Sequence, residues 1–201
     1  MKLHSYIITH DTGFSPNPFW GFCTLADCKP VIRRTANIRD WVVGLSPKAN
    51  GNKIIYAMEV NEILSFTEYF NDNRFRNKKP DFSKNSTKNE SGDNIYKPLR
   101  NGEFKQIQSR HSHGTNENPD TKKRDLSGKN VLISKNFHYF GSKPLDLPNE
   151  LNELIVGRAH KNKFTDIITS YFIDFISPQK MGVIASPTNW PKDDTSWSKV
   201  K

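Results

Sequence analysis

A thiol followed closely by cations is the first feature of this sequence that could do chemistry. Cys28 precedes three basic residues, Lys29, Arg33 and Arg34. Positive charge stabilises a thiolate, which is the nucleophilic form, and the same cations can hold a phosphate group. We therefore predict Cys28 as a candidate nucleophile and the three cations as candidate phosphate ligands. The alternative is a surface turn whose charges face water.

Histidines supply the candidate acids and bases. His111 and His113 follow Arg110 in a polar stretch, downstream of Asp93 and Tyr96. A carboxylate and two imidazoles can exchange protons with a substrate or hold its anionic groups, so all five residues are candidate site residues. Histidines in such stretches are also often simply exposed.

A further candidate site lies near the C-terminus. Gly157 suits the end of one helix and another helix is expected soon after it, so Arg158, His160 and Lys161 would cluster at a helix N-terminus. Backbone amides there favour anions, which predicts a phosphate site with His160 as a further acid or base. The alternative is an ordinary charged connection, since no glycine-rich phosphate loop is present.

Aromatic residues make up 11% of the chain. Most must form the core, but Trp20 and Trp41 are candidates for stacking on a base. The two cysteines, Cys23 and Cys28, match zinc-site spacing only loosely when combined with the two histidines at 111 and 113. We therefore predict neither a metal site nor a cofactor.

The net charge of +9 is concentrated in the middle of the chain, where residues 74–135 contain 15 basic and 7 acidic side chains. Such a stretch attracts polyanions and predicts a nucleotide or nucleic acid as the partner. No apolar run approaches the roughly 18 residues of a membrane span. The first residues also lack the apolar stretch of a signal peptide, so we expect a cytoplasmic protein without a membrane partner.

The elements that must position these residues are mainly strands. Strands are predicted at 3–9, 40–45, 53–60, 130–134 and 182–185, and helices after Ser65, from Pro148 and at 164–176. Residues 13–34 read as an extended aromatic loop, and residues 76–128 as a long, basic, loop-rich insertion. The prediction is one α+β domain over 1–201, with C-terminal helices packed on a curved, mainly antiparallel sheet or partial barrel.

Several motifs, in this order along the chain, resemble the nucleotide modification associated domain type 2 family. They include FWGFCTLA at 19–26, DWVVG at 40–44, GDNIY at 92–96 and GRAHK at 157–161. The resemblance covers nearly the whole chain and implies an association, in phages and bacteria, with genes that modify DNA bases. It implies no particular reaction. The family pattern also leads us to expect Gly where Ala159 stands.

A weaker likeness concerns the fold alone. The strand pair at 40–45 and 53–60 is similar to that of PUA-like and EVE-like barrels, which hold modified bases in an aromatic pocket. A shared fold does not fix a function.

Three classes of function follow from these features. The first is a nucleotide- or nucleic-acid-binding protein, associated with DNA base modification, that recognises a nucleotide or modified base through an aromatic and basic cleft. The second is an enzyme that acts on a nucleotide or base with His and Cys chemistry. The third is a phage-type interaction protein that blocks a host factor. No complete catalytic signature decides between them.

Overall fold

The structure, a computed structural model, describes residues 1–157 and 159–198 and is built on open β-sheets. The strands are β1 (Leu3–Ile7), β2 (Cys23–Leu25), β3 (Trp41–Leu45), β4 (Ile54–Glu59), β5 (Glu62–Ser65), β6 (Tyr96–Pro98), β7 (Phe104–Gln106), β8 (Asn130–Ser134), β9 (Phe137–Tyr139), β10 (His160–Lys161) and β11 (Gly182–Val183). The α-helices are α1 (Pro30–Thr35), α2 (Phe66–Asn71), α3 (Thr87–Glu90), α4 (Pro119–Leu126) and α5 (Asp166–Ile176). Short 3-10 helices lie at Lys48–Asn50, Asn73–Lys78, Phe82–Lys84, Asn149–Leu154 and Ser196–Ser198.

The larger sheet has six strands in the order β10-β1-β3-β4-β9-β11. It is mixed: β1 runs parallel to β3 and β9 parallel to β11, whereas the other neighbours are antiparallel. The predicted α+β class and the β3–β4 pairing are confirmed. The sheet is open rather than closed, and the likeness to PUA-like and EVE-like barrels stays a prediction.

Both faces of this sheet are buried because its strands alternate apolar side chains between two cores. Trp41 and Val43 of β3 pack with Phe172 and Ile176 of α5 on one face. Val42 packs on the other face, in the cluster that also contains Tyr6 and Tyr56. The last helix therefore packs on the sheet, as the sequence predicts.

The second sheet, β2-β8-β5, is antiparallel and covers a third apolar cluster together with α2. The helix α2 begins as its sequence predicts, because Ser65 accepts a hydrogen bond from the Glu68 amide and the Glu68 carboxylate accepts from the Ser65 amide. This reciprocal pair satisfies two amides that a helix leaves open at its N-terminus.

The segment 76–128, predicted as a loop-rich insertion, contributes several residues to the buried core. Ile95 and Tyr96 are buried in the third cluster, and Lys78, Asp93 and Asp125 are buried as well. The Lys78 ammonium donates to two oxygens of Asn17 and to the Phe22 carbonyl, which compensates for burying its charge. This part of the chain therefore belongs to the core that supports β2.

Three local predictions are wrong. Residues 13–34 are not one extended loop, because they contain β2 and most of α1. The helix expected from Pro148 is a short 3-10 helix at Asn149–Leu154, with Pro148 as its N-cap. His160 and Lys161 do not lie at a helix N-terminus, because they form the edge strand β10, and α5 begins later with Thr165 as its N-cap.

None of the helices in the described part of the chain is both long and apolar enough to cross a membrane.

Candidate active site

Cys28 lies in a tight turn between β2 and α1. Its φ is 57° and that of Lys29 is 37°, so two consecutive non-glycine residues adopt the left-handed region. Such backbone is strained and is held only where the surroundings fix it. One fixed point is the hydrogen bond from the Cys28 amide to Asp125 Oδ1, at 3.0 Å. Pro30 is the other, because its ring favours the start of α1 immediately after the turn.

His111 brings an imidazole to this thiol. Its Nε2 is 3.6 Å from Cys28 Sγ, and its Nδ1 is 2.5 Å from Asp125 Oδ2. The His111 carbonyl accepts hydrogen bonds from Thr121 and Gln106, which fixes the backbone that carries the ring. The structure thus brings together two predicted site residues, Cys28 and His111, that are 83 positions apart.

Asp125 completes a Cys–His–Asp constellation. It lies near the end of α4 with no exposed side-chain surface, and it also accepts a hydrogen bond from the Tyr96 hydroxyl at 2.9 Å. Burial alone would raise its pKa, but the hydrogen bonds and charge from His111, with the bond from Tyr96, outweigh burial and lower it. Asp125 is therefore an ionised carboxylate at neutral pH.

The charge state of His111 follows from the same contacts. Burial lowers its pKa, but the hydrogen bonds to Asp125 and Cys28 and the charges of Asp27 and Asp125 are together stronger, so the pKa rises to about 10. The ring is then an imidazolium near neutral pH, adjacent to the sulfur. An imidazolium in this position can give its proton to a leaving group.

The same three residues offer donor atoms within 4.8 Å of one another, a distance range that one metal ion could span. However, Cys28 Sγ and Asp125 Oδ2 contact opposite nitrogens of the imidazole of His111. A ring placed between a sulfur and a carboxylate is suited to moving a proton between two partners, whereas ligands of one ion converge on a common point. The arrangement therefore favours proton transfer.

Arg33 holds this site together from behind. Its guanidinium has no exposed surface and donates to the carbonyl oxygens of Cys28, Asn130 and Asp125. Gly128 makes room for it, since a Cβ there would lie 2.4 Å from the guanidinium carbon. Because the guanidinium is fully buried and its three nitrogens each donate to one of these carbonyls, the structure gives Arg33 a supporting position instead of the predicted ligand position.

Asp27 is a second buried carboxyl beside the constellation. Neither of its carboxyl oxygens has a hydrogen-bond partner among the described residues. Burial, followed by the negative charge of Asp125, raises its pKa well above the ordinary value. Of these two neighbouring carboxyls, Asp27 is therefore the one that takes up a proton first as pH falls, because Asp125 has His111 as its partner.

A cavity of about 270 Å³ opens beside Cys28. Its walls come from β1 and the residues after it, from the turn that carries Cys28 and Lys29, and from Arg124. Lys29 is half-buried; its ammonium donates to the Ile7 carbonyl at 3.3 Å and lies 4.5 Å from the centre of the Tyr6 ring. Cys28 therefore lines a small space together with the cations Lys29 and Arg124.

Of the C-terminal candidates, His160 lies near this cavity without lining it. His160 pairs with Tyr6 on β1, so β10 and the Lys29 side chain flank the same strand. Burial, then the charges of Lys29 and Arg34, lower the pKa of His160. Lys161 pairs with Glu153, and Arg158 lies outside the described residues.

The remaining predicted residues divide between core and surface. Trp41 is buried against Phe172, and Asp93 is buried with hydrogen bonds from Thr24 and Tyr69. Two further polar candidates are exposed: Arg110 has a long 3.5 Å contact to Ser91, and the backbone of His113 exchanges hydrogen bonds with that of Asn116. Exposed Arg34 donates to the Ser127 carbonyl.

Trp20 alone of the two tryptophan candidates remains accessible. It lines a groove of about 770 Å³ together with Phe19, Phe137 and Met181 and with the lysines at 88 and 135. The Lys88 ammonium lies 5.7 Å from the centre of the Trp20 ring. The groove is therefore both aromatic and basic, and it is separate in its lining residues from the cavity at Cys28.

Two residues of the site were missed in the sequence. Asp125 directly follows the basic run 122–124, where it resembles one more charge on a solvated helix. Asp27 directly precedes Cys28, so an acid next to a candidate nucleophile was a usable signal. Nothing local marks either carboxyl as buried.

The fold and the constellation together define an α+β protein with a cysteine, a histidine and an aspartate arranged for proton transfer. The chain belongs to the nucleotide modification associated domain 2 family, whose model matches residues 1–194. This confirms the resemblance carried by the sequence motifs. No curated protein and no solved structure matches the chain.

Proposed function

We propose that this protein is a cysteine-dependent enzyme that transfers or hydrolyses an acyl group. Cys28 is the nucleophile, His111 is the acid and base, and Asp125 orients and charges His111. The observation that carries the proposal is the continuous line from Cys28 Sγ through both ring nitrogens to Asp125 Oδ2, with spacings of 3.6 and 2.5 Å. A nucleophile, a base and an orienting carboxylate in this order form the recurring unit of acyl transfer.

The reaction balances with these groups alone. The Cys28 thiolate adds to a carbonyl carbon, forming a C–S bond, and the carbon–nitrogen or carbon–oxygen bond of the substrate breaks. The leaving group takes the proton from His111, which becomes a neutral base. His111 then removes a proton from water or an acceptor alcohol or amine, which attacks the thioester and releases Cys28 as the leaving sulfur.

The substrate is proposed to carry a nucleotide or a modified base. Membership in a family named for association with nucleotide modification supports this, as do the cations beside Cys28 and the aromatic groove around Trp20. The sequence predicts one cleft that is both aromatic and basic. We propose two separate surfaces in its place, the cavity beside Cys28 and the groove around Trp20. Nucleotide binding is tested by titrating the protein with nucleoside monophosphates and monitoring its tryptophan fluorescence.

The enzymatic proposal is tested with a small activated ester, p-nitrophenyl acetate, and mass spectrometry. We expect acetylation of Cys28 followed by release of the acetyl group, with no such adduct in Cys28→Ser. Cys23→Ser is the matched control, because Cys23 is fully buried and burial raises the pKa of its thiol. His111→Gln should slow acetylation by about 100-fold or more, the usual contribution of a general acid or base.

Acetylation of Cys28 that proceeds no faster than that of a free thiol, and equally fast in His111→Gln, would contradict the proposal. Nucleotide binding that persists in that case would favour the binding protein predicted first.

A further inference from the structure

We propose that the cavity beside Cys28 is an anion subsite, in which Lys29 and Arg124 hold a phosphate or carboxylate group of the substrate next to the reacting carbonyl. That this anionic group belongs to a substrate rests on the proposed function, whereas anion binding in the cavity can be tested without assuming an enzyme. Three features support an anion subsite: the unused hydrogen-bonding capacity of Lys29, the charges around the cavity and the size of the cavity.

Lys29 is half-buried and has spare donors. Its ammonium makes a hydrogen bond of 3.3 Å to the Ile7 carbonyl and lies over the Tyr6 ring, and no carboxylate of the described residues forms an ion pair with it. Lys78, in contrast, has three oxygens within 3.0 Å. An ammonium has three N–H groups, so Lys29 retains donors for a ligand while Lys78 does not.

The charges around the cavity have one sign. Apart from Cys28 itself, the charged side chains that line it are Lys29 and Arg124, and no Asp or Glu is among the described residues at its wall. The side chain of Arg124 is 51% exposed, and its Nε lies 3.5 Å from Asp125 Oδ1. Asp125 is itself compensated by His111, to which it is hydrogen-bonded. A cavity lined by cations with low-dielectric walls concentrates anions.

The size of the cavity limits what it can hold. A volume of about 270 Å³ lies just below the roughly 300–1,000 Å³ of sites that enclose a whole small molecule. The cavity suits an anionic group and the reacting acyl carbon, while the remainder of a larger substrate would lie outside. The cations and the sulfur thus select a substrate whose anionic group is close to its reactive carbon.

Two alkylating reagents that differ in charge provide the test. Iodoacetate carries a carboxylate, whereas iodoacetamide is neutral. In both reactions the Cys28 sulfur attacks the CH2 carbon of the reagent and iodide leaves. The ratio of their rate constants at Cys28 cancels any change in thiolate population, because both reactions require the same thiolate. Peptide mass spectrometry assigns the label to Cys28 rather than Cys23.

We expect Lys29→Met to lower the iodoacetate-to-iodoacetamide ratio by about tenfold, the effect of one charge contact worth about 1.4 kcal/mol. Arg124→Met should lower the ratio by about two- to threefold, because its more exposed charge is better screened. Lys123→Met is the matched control, since Lys123 neighbours Arg124 but does not line the cavity. A ratio that is the same in the wild-type protein and in Lys29→Met would overturn the proposal.

The two sources of the anion are separated by protection experiments. Inorganic phosphate and acetate are compared, at matched ionic strength, for their ability to slow labelling by neutral iodoacetamide. Stronger protection by phosphate assigns the subsite to a phosphate group and stronger protection by acetate to a carboxylate; both results support the proposal, and absence of protection by either contradicts it. Failure of p-nitrophenyl acetate to acetylate Cys28 would refute the proposed enzyme but leave the ratio measurable.

Discussion

Replacing Asp125 by Asn should remove the charge that keeps His111 protonated. In the wild-type protein burial lowers the pKa of His111, but its contacts with Asp125 and Cys28 outweigh burial and raise it to about 10. Asparagine is neutral and has one carbonyl oxygen, whereas Asp125 accepts from Cys28, His111 and Tyr96. With this charge and its hydrogen bond gone, less opposes the effect of burial, so we expect the pKa of His111 to fall well below its wild-type value.

The sign of the pH effect follows from this shift. A pKa that is higher in the folded than in the unfolded chain stabilises the fold fully below the unfolded-state pKa, and the contribution is lost as pH rises through the folded-state pKa. For His111 the loss runs from 6.5 to about 10. At 1.4 kcal/mol for each tenfold change in proton affinity the upper limit is about 5 kcal/mol, and partial exposure of the ring reduces our expectation to about 2–4 kcal/mol.

Lys78 changes the pH dependence of stability in the opposite direction, and it does so in both the wild-type protein and Asp125→Asn. Burial lowers its pKa from 10.5 to about 8. A lysine whose folded-state pKa is depressed destabilises the fold at low pH, so stability rises as pH increases from about 8 to 10.5. The quantity to measure is therefore the difference between the wild-type protein and Asp125→Asn, from which the contribution of Lys78 cancels.

Urea unfolding at several pH values measures this difference. We expect the wild-type advantage in free energy of unfolding to be largest near pH 6 and to shrink by about 2–4 kcal/mol by about pH 9.5. Asp120→Asn, which changes an exposed acid of the same helix, should leave the pH dependence unchanged. A difference between wild type and Asp125→Asn that stays constant over this pH range would refute the reasoning.

Two further predictions concern the backbone near the site. Gly128→Ala should destabilise the protein by about 1–3 kcal/mol in thermal unfolding, because the new Cβ would overlap the Arg33 guanidinium, whereas Gly157→Ala should be nearly neutral because its Cβ would meet nothing within 4 Å. Ala159→Gly should stabilise it by about 0.5–1 kcal/mol, since Ala159 has a φ of 62° that glycine adopts without strain. Equal melting temperatures for the two Gly→Ala variants, or a lower one for Ala159→Gly, would contradict these accounts.

The sequence predicts the local parts of the site better than its assembly. Cys28 and its cations are adjacent, and the polar stretch around His111 is visible without a fold. Which of the histidines reaches the thiol depends on contacts between residues 83 positions apart. Asp125 is indistinguishable from a surface acid until Tyr96 and the Cys28 amide are known to surround it.

The same limit explains the candidates that became structural. Arginine and tryptophan are typical of binding sites, so Arg33 and Trp41 were reasonable candidates. Their burial depends on partners supplied by distant segments, the carbonyls at 125 and 130 for Arg33 and α5 for Trp41. Strand positions and the Ser65 cap were predictable because period-two patterning and capping chemistry act within a few residues.

The three carbonyls bound by Arg33 also set the time at which the site can form during folding. One belongs to Cys28, in the turn just before α1, and the other two belong to Asp125 and Asn130, which are 92 and 97 positions beyond Arg33. Contacts this distant in sequence form late, because closing a long loop costs entropy before any contact compensates for it. On a ribosome, Cys28 would emerge long before its histidine and aspartate and would remain an ordinary thiol in the meantime. We expect pulsed labelling during refolding to show Cys28 acquiring its native reactivity only in the final kinetic phase.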